Sequence, residues 1–175
     1  ERGGVEKILE NLCNFFSKKK KFTYLITNKQ TFKIFSKKKI KIIPINKNNK
    51  FFFKNRIMLS IFSVFVLRNA MKKLDRKNTV ILSMQSNFFP TILSFFLNYK
   101  IFVRVSEDPC GATKYADNKV FALFVMISKF ITYNLCDGII VNGKKSFNCV
   151  RKFTFKKKKI KLLFNHSLNQ IEKKN

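Results

Sequence analysis

Residues 79–106 read TVILSMQSNFFPTILSFFLNYKIFVRVS, and their pattern sets the fold class. Two short apolar runs of strand length, TVILSMQ at the start and KIFVRVS at the end, enclose the segment PTILSFFLNY. That segment begins with Pro90, which suits the first turn of a helix. A strand, a helix and a second strand in this order predict a unit whose two strands are parallel.

The same alternation continues in both directions from this unit. Several of the strands are continuous apolar runs, as expected when both faces of a sheet are covered. The sequence therefore predicts an α/β fold: a Rossmann-like parallel sheet with helices on both faces. The predicted elements, in chain order, are helix 4–18, strands 22–27 and 39–45, helix 54–75, strand 79–85, helix 90–99, strand 100–106, helix 117–135, strand 137–142, helix 144–153 and strand 159–165.

The net charge of +28 over 175 residues is the strongest compositional signal. Such a charge attracts phosphate, whether in nucleic acid, anionic lipid head groups or a nucleotide. The alternative is A+T-rich coding, because Lys, Asn, Ile and Phe are all abundant and Trp is absent. The apolar fraction of 46% excludes a disordered tail and is sufficient for the core of one domain.

The cysteine pattern predicts no metal site. The four cysteines, Cys13, Cys110, Cys136 and Cys149, form no Cys-x-x-Cys pair, and His166 is the single histidine. Three of them, all except Cys110, lie in or beside apolar runs, where a free thiol packs as a small hydrophobic side chain. We therefore expect a reduced, cytoplasmic protein.

No segment is predicted to span a membrane. The longest apolar candidate is VFALFVMISKFITYNLC, residues 120–136. Lys129, Thr132 and Asn134 interrupt it before about 20 apolar residues accumulate.

Candidate binding loops follow from the fold, because open parallel sheets bind ligands at the carboxyl ends of their strands. A further candidate is the pair Gly3–Gly4, which enters the first helix. Glycine allows close backbone approach, and a helix amino terminus presents unpaired N–H groups to an anion; an ordinary helix-entry turn is the alternative. The loops predicted at the carboxyl edge are 84–90, 106–114, 142–145 and 165–168.

ERGGVEKILENLCNF, residues 1–15, resembles the opening loop and first helix of the family-4 glycosyltransferases, where a G-G-(A/V)-E element follows the first strand. Four further segments resemble that family in the same order, so the resemblance covers nearly the whole chain. These segments are 79–97, 100–115, 135–153 and 159–168.

The resemblance implies a fold and an activity. Members of this family have the GT-B architecture, two Rossmann-like domains that face each other across a cleft. They transfer a sugar from a nucleotide-sugar with retention of anomeric configuration, and they need neither a bound metal nor a separate cofactor. Residues 1–165 then correspond to the amino-terminal, acceptor-side domain without its first strand, and 166–175 to the start of the interdomain linker. We therefore expect a fragment that lacks the donor-binding domain and is inactive alone.

The resemblance also assigns residues. Gly3 and Gly4 correspond to the backbone that stabilises the donor phosphate as it leaves. Arg104, Glu107 and Lys144 lie at the strand ends where the acceptor binds, although the family usually has Ser near Lys144.

Arg104 has a second interpretation. It ends a strand predicted to be buried, and a buried guanidinium without a partner is costly. A structural ion pair with Glu107 or Asp108 is the alternative to contact with an acceptor hydroxyl or phosphate.

The implied partners are a nucleotide-sugar donor and a glycan or lipid-linked acceptor in polysaccharide or lipopolysaccharide biosynthesis. The helix at 54–75 carries basic residues beside an aromatic and apolar stretch, which suits peripheral docking on the anionic inner face of a membrane. The alternative for this helix is packing in the core with solvated basic ends. For the whole chain, the alternatives are a basic α/β nucleic-acid-binding module, disfavoured because most Phe residues lie in apolar runs typical of a core, and a nonfunctional remnant.

Overall fold

The computed structural model describes residues 4–19, 23–27, 40–44, 56–84, 87–106, 108–114 and 119–163. They form an α/β structure whose chain divides into two units, Glu1–Lys72 and Lys73–Asn175. Every strand pair in this described part is parallel. The α/β class and the Rossmann-like parallel arrangement predicted from the sequence are therefore confirmed.

The first unit contains helix α1 (Gly4–Lys18), strands β1 (Thr23–Thr27) and β2 (Ile40–Pro44), and helix α2 (Arg56–Met71). The two strands form a separate parallel pair, aligned from Thr23 opposite Ile40 to Thr27 opposite Pro44. Helix α1 contacts β1 and buries Cys13. Amphipathic spacing in α1 and the two short apolar runs were sufficient to predict these elements.

Helix α2 ends at Met71, before the boundary at 75 that its apolar pattern predicts. The following turn is held by Asp75, whose carboxylate accepts hydrogen bonds from Lys77 N at 3.1 Å and from Asn78 Nδ2 at 2.6 Å. An Asp side chain that bonds the backbone two residues later stabilises a turn in competition with a helix.

The second unit is built on a four-stranded parallel sheet in the order β3-β4-β5-β6. Its strands are β3 (Val80–Ser83), β4 (Lys100–Val105), β5 (Gly138–Val141) and β6 (Ile160–Leu162). Because the spatial order follows the chain order and crossovers are right-handed, successive crossover helices lie on the same face. The crossover helices of this unit therefore cover one face of the sheet, and not both faces as predicted from the sequence. These helices are α3 (Phe88–Leu97), α5 (Lys119–Leu135) and α6 (Lys144–Phe153), and contacts join α3 to α5 and α5 to α6.

The core lies between this face of the sheet and the crossover helices. Val103 and Ile139 are paired in register and are 0% and 1% exposed. Helix side chains cover them, among them Tyr133 of α5 and Val150 of α6. At about 25 cal/mol per Å² of buried apolar surface, these layers supply the main stabilisation of the unit.

The opposite face of the sheet requires glycine at one position. Gly138 lies in register beside Phe102, and a Cβ added to Gly138 would be 2.6 Å from the Phe102 ring. The ring therefore occupies the space that any larger residue at this position would need.

Helix α3 begins at Phe88, two positions ahead of the predicted start at Pro90. Pro90 still lies in the first turn, where the missing N–H has no intrahelical partner to lose. The helix ends at Leu97 and is capped by Asn98, which has a left-handed backbone (φ 57°) and whose N–H bonds the carbonyls of Phe95 and Ser94.

Helix α4 (Pro109–Lys114) falls inside the segment 106–114, which the sequence analysis treats as a polar loop. The carboxylate of Asp108 accepts a hydrogen bond from Cys110 N at 3.2 Å. An Asp before the helix and a Pro at its first position together form a common helix start. The prediction of a loop over 106–114 is therefore wrong for Pro109–Lys114.

Candidate functional site at the carboxyl edge of the sheet

Polar side chains converge where β3, β4 and β5 end, as the fold predicts. Asn87 lies between β3 and α3 and connects two strands. Its Nδ2 donates to the backbone oxygen of Arg104 at 2.9 Å, and its Oδ1 accepts from the Ser83 hydroxyl at 2.7 Å. The side chain of Asn87 thus fixes the end of β4 relative to the end of β3.

Arg104 is buried at 7% exposure near the end of β4. Its Nη1 donates to the Ser106 hydroxyl at 2.6 Å, and burial lowers the pKa of the guanidinium. Ser106 in turn accepts, through its backbone oxygen, a long hydrogen bond of 3.4 Å from Asn142 Nδ2 after β5. The three strand ends are therefore joined by one polar network.

Asp108 forms an ion pair with a residue from the next strand end. Its Oδ2 lies 3.0 Å from Lys145 Nζ in the first turn of α6. The hydrogen bond from Lys145 lowers the pKa of the Asp108 carboxyl, and the backbone N–H groups of Gly111 and Cys110 lower it further against the effect of desolvation. Of the two acidic partners that the sequence suggests for Arg104, Asp108 thus pairs with Lys145, and Glu107 lies outside the described residues.

The amino terminus of α6 carries an unusual charge pattern. Lys144 and Lys145 occupy its first turn, which contains no acidic residue, and Gly143 provides no side-chain cap. Lysines in a first turn oppose the helix dipole, so they favour an anion or a polar acceptor at this end. Asp108 is such an anion for Lys145, with which it forms an ion pair, while Lys144 is exposed at the edge.

The cysteines correct one expectation. Cys149 is interpreted from the sequence as a packed free thiol, but it forms a disulfide with Cys110, with the two Cα atoms 5.9 Å apart. The reduced state expected for the chain is therefore wrong for this pair. Cys13 and Cys136 are free and buried, as predicted, and burial raises the pKa of Cys136 to about 11.

The same corner also brings together three side chains of types that can ligate a metal, a grouping that no short sequence motif reveals. Ligand atoms of Asp108, Cys110 and Cys149 all lie within 4.8 Å of one another. The two cysteines are 39 residues apart, so no short motif marks them. The available signal was topological: each cysteine follows one of two consecutive strands, and consecutive parallel strands end at the same edge.

The predicted site residues lie in different parts of the structure. Arg104 and Lys144 are both at the carboxyl edge of the second unit. Gly4 is the first residue of α1 in the first unit, and Gly3 and Glu107 lie outside the described residues. Sequence reasoning missed Asn87, which orders the strand ends.

No protein-family model and no curated protein sequence matches this chain. The resemblance to the family-4 glycosyltransferases therefore remains a prediction. Within the described ranges, no helix is both long enough and apolar enough to cross a membrane.

Proposed function

We propose that this chain is the acceptor-side domain of a retaining glycosyltransferase, an enzyme that transfers a sugar from a nucleotide-sugar to a glycan or lipid-linked acceptor in polysaccharide or lipopolysaccharide biosynthesis. The observation that carries the proposal is the polar network at the carboxyl edge, in which Asn87, Arg104 and Ser106 are joined by hydrogen bonds of 2.9 and 2.6 Å. Sugar recognition needs donors and acceptors whose positions are fixed before binding.

The proposed roles follow the geometry of this edge. Lys144 is exposed at the amino terminus of α6, so it contacts an acceptor hydroxyl or phosphate from solvent. Arg104 is buried and hydrogen-bonded to Ser106, so its proposed role is to orient Ser106 at the edge where the acceptor binds. The family resemblance alone supports the two remaining roles, in which Gly3 and Gly4 contact the donor phosphate and Glu107 binds an acceptor hydroxyl.

This part of the proposal is tested by saturation-transfer NMR on the full chain with glucose, galactose and mannose disaccharides as probes. We expect weak saccharide binding that Lys144→Gln and Asn142→Ala reduce at least about fivefold, while Lys152→Gln, an exposed lysine in the last turn of α6, leaves it unchanged. The pure chain is expected to show no turnover of UDP-glucose or GDP-mannose. Measurable turnover, or saccharide binding equal in all variants, would contradict the proposal.

The proposal includes docking on an anionic membrane, and the structure adds a surface that the sequence analysis did not consider. The amino-terminal half of α5 exposes large apolar side chains, here called the α5 patch. An exposed lysine, Lys119, begins α5. Further exposed lysines follow Phe155, whose ring centroid lies 5.3 Å from that of Phe130 in α5. The α5 patch comprises Val120 (78% exposed), Phe121 (60%), Leu123 (52%), Phe124 (68%) and Ile127 (47%).

The composition of the α5 patch favours lipid over nucleic acid. Most Phe residues are predicted from the sequence to lie in the core, and for Phe121 and Phe124 this prediction is wrong. Exposed aromatic rings could stack on bases, but the aliphatic Val120, Leu123 and Ile127 of the same patch cannot. Docking on an anionic membrane accounts for the exposed apolar side chains, which insert between lipid head groups, and for the exposed lysines, which lie at the anionic surface.

A further inference from the structure

Three side chains with metal-binding atoms meet at the carboxyl edge of the sheet. Asp108 directly precedes α4 and Cys110 lies in its first turn, after β4, whereas Cys149 lies in α6 after β5. Their ligand atoms lie within 4.8 Å of one another. Because β4 and β5 are adjacent in the sheet, a rigid scaffold sets the distance between the two segments.

The backbone spacing fits both a disulfide and a shared metal ion. The Cα atoms of Cys110 and Cys149 are 5.9 Å apart. Two thiolates on one tetrahedral zinc ion, each with a Zn–S distance of about 2.3 Å, have sulfur atoms separated by about 3.8 Å. Two cysteines at this Cα spacing reach that separation by side-chain rotation, so the helices need not move.

We propose that Asp108, Cys110 and Cys149 bind Zn²⁺ when the cysteines are reduced, with water as the fourth ligand, and that the disulfide is the oxidised, metal-free form of the same site. A dithiol reductant gives two electrons and two protons to the disulfide and becomes a disulfide itself. The Sγ–Sγ bond breaks and two thiols form. Zn²⁺ then displaces one proton from each thiol, and both protons pass to solvent.

The surroundings of Asp108 suit a ligand carboxylate. Its Oδ1 accepts a hydrogen bond from Cys110 N at 3.2 Å, which orients the group. Its Oδ2 is 3.0 Å from Lys145 Nζ, but the Lys145 side chain is 86% exposed and can move into solvent at little cost. Gly111 leaves space for the carboxylate, since a Cβ there would lie 3.1 Å from Oδ2.

The partial exposure of Cys110 distinguishes this pair from the other two cysteines, which are both buried. Cys149 is 4% exposed beside the half-buried Cys110, so the site is shielded yet reachable from the surface at Asp108. Cys13 and Cys136 are buried thiols that burial keeps protonated, and neither belongs to a group of three metal-binding residues within the described part of the chain.

The test uses Co²⁺ as a spectroscopic substitute for Zn²⁺ on the full chain, after reduction with a dithiol and its removal under argon. Reduced protein is expected to bind one equivalent of Co²⁺ with a sulfur-to-cobalt charge-transfer band, and Zn²⁺ should displace it. The same protein oxidised to the disulfide should show no such band. Cys110→Ser and Cys149→Ser should abolish the band, Asp108→Asn should weaken Co²⁺ binding by about tenfold or more, and Cys136→Ala should leave it unchanged.

Two lysine variants, Lys145→Gln and its control Lys144→Gln, test the site without changing either cysteine. Lys145→Gln removes the cation that competes for Asp108, so we expect Co²⁺ to bind severalfold more tightly. Lys144→Gln removes the same charge from the adjacent exposed position and should change the affinity by less than about twofold. The proposal is overturned if reduced wild-type protein shows no charge-transfer band, if the band persists in the Cys110→Ser/Cys149→Ser variant, or if both lysine variants change the affinity equally.

Discussion

Asn87 Nδ2 donates a hydrogen bond of 2.9 Å to the backbone oxygen of Arg104, across 17 positions of sequence. The other end of the same amide accepts from Ser83 Oγ at 2.7 Å. One half-buried side chain therefore satisfies a carbonyl at the end of β4 and a buried hydroxyl at the end of β3.

Replacing Asn87 should lower the stability of the second unit more than expected for a half-buried side chain. Asn87→Ala leaves the Ser83 hydroxyl and the Arg104 carbonyl without this partner, and we expect a loss of about 1–3 kcal/mol in the free energy of unfolding. Urea denaturation measures it. The matched control is Asn148→Ala, at an exposed position in α6, which should be neutral or slightly stabilising. Equal losses for both variants would contradict the role assigned to Asn87.

Gly138→Ala should be destabilising because of Phe102. The new Cβ would lie 2.6 Å from the Phe102 ring, so the ring or the strand must shift, at a cost of about 1–3 kcal/mol in thermal or urea unfolding. Gly143→Ala is the control, since nothing lies within 4 Å of a Cβ at Gly143. In the Gly138→Ala/Phe102→Leu double variant, the smaller Leu side chain should recover part of the lost free energy of unfolding. A Gly138→Ala protein as stable as wild type would contradict the close packing of the Phe102 ring against Gly138.

The ion pair of Asp108 predicts the direction of a pH effect. Lys145 holds the pKa of the folded Asp108 carboxyl below its ordinary value. The contribution of this group to stability is therefore fully present above the unfolded pKa of about 4 and is lost as the pH falls through the folded value. The stability difference between wild type and Asp108→Asn should shrink on acidification in urea titrations at several pH values. In the Lys145→Gln background that shrinkage should be smaller, and an unchanged pH dependence would exclude the pair as its cause.

Vesicle binding should depend on the α5 patch. Phe121→Ser/Phe124→Ser removes two exposed rings and should lower affinity for phosphatidylcholine vesicles containing phosphatidylglycerol by about tenfold in co-sedimentation. Phe65→Ser, on α2 and 56% exposed, is the matched control and should have little effect. If Phe65→Ser lowers vesicle affinity more than Phe121→Ser/Phe124→Ser does, docking takes place through α2, as predicted from the sequence.

Charge must be tested separately, because a chain of +28 adheres to anionic surfaces in general. Two variants that each lose four positive charges can be compared for vesicle affinity. The first changes Arg56, Arg68, Lys72 and Lys73 to Gln, and the second changes the lysine run 156–159 to Gln. Docking through α2 predicts a much greater loss for the first variant, whereas the α5 patch predicts no such excess. Tight, salt-sensitive binding of a DNA oligonucleotide that the Phe121→Ser/Phe124→Ser variant abolishes would favour the nucleic-acid alternative instead.

The alternation of apolar runs predicted the fold of the second unit because each run there corresponds to one strand or one crossover helix. KKSFNCVRKF forms α6 with the predicted bounds, since its apolar residues recur at helical spacing between the polar Asn142–Gly143 turn and Thr154. The apolar pattern of α5 was less informative, because a helix that is apolar all around indicates burial on every side. The structure instead exposes one part of it at Phe124.

The site was only partly predictable because it depends on which strands are neighbours. Strand ends and the exposed Lys144 follow from local pattern alone. The disulfide of Cys110 with Cys149 and the bond from Asn87 to Arg104 depend on the pairing of β3, β4 and β5. Separations of this length leave no local signature, so such contacts become visible only when the sheet order is known.

The central claim is that the carboxyl edge of the second unit binds a saccharide, and amide chemical-shift mapping tests it most directly. Isotope-labelled full chain is titrated with a disaccharide that binds in the saturation-transfer screen. The account predicts that the largest shifts fall on residues 104–106 and 142–145, and that Lys144→Gln reduces them. Shifts that concentrate elsewhere, or none with any saccharide tested, would contradict it.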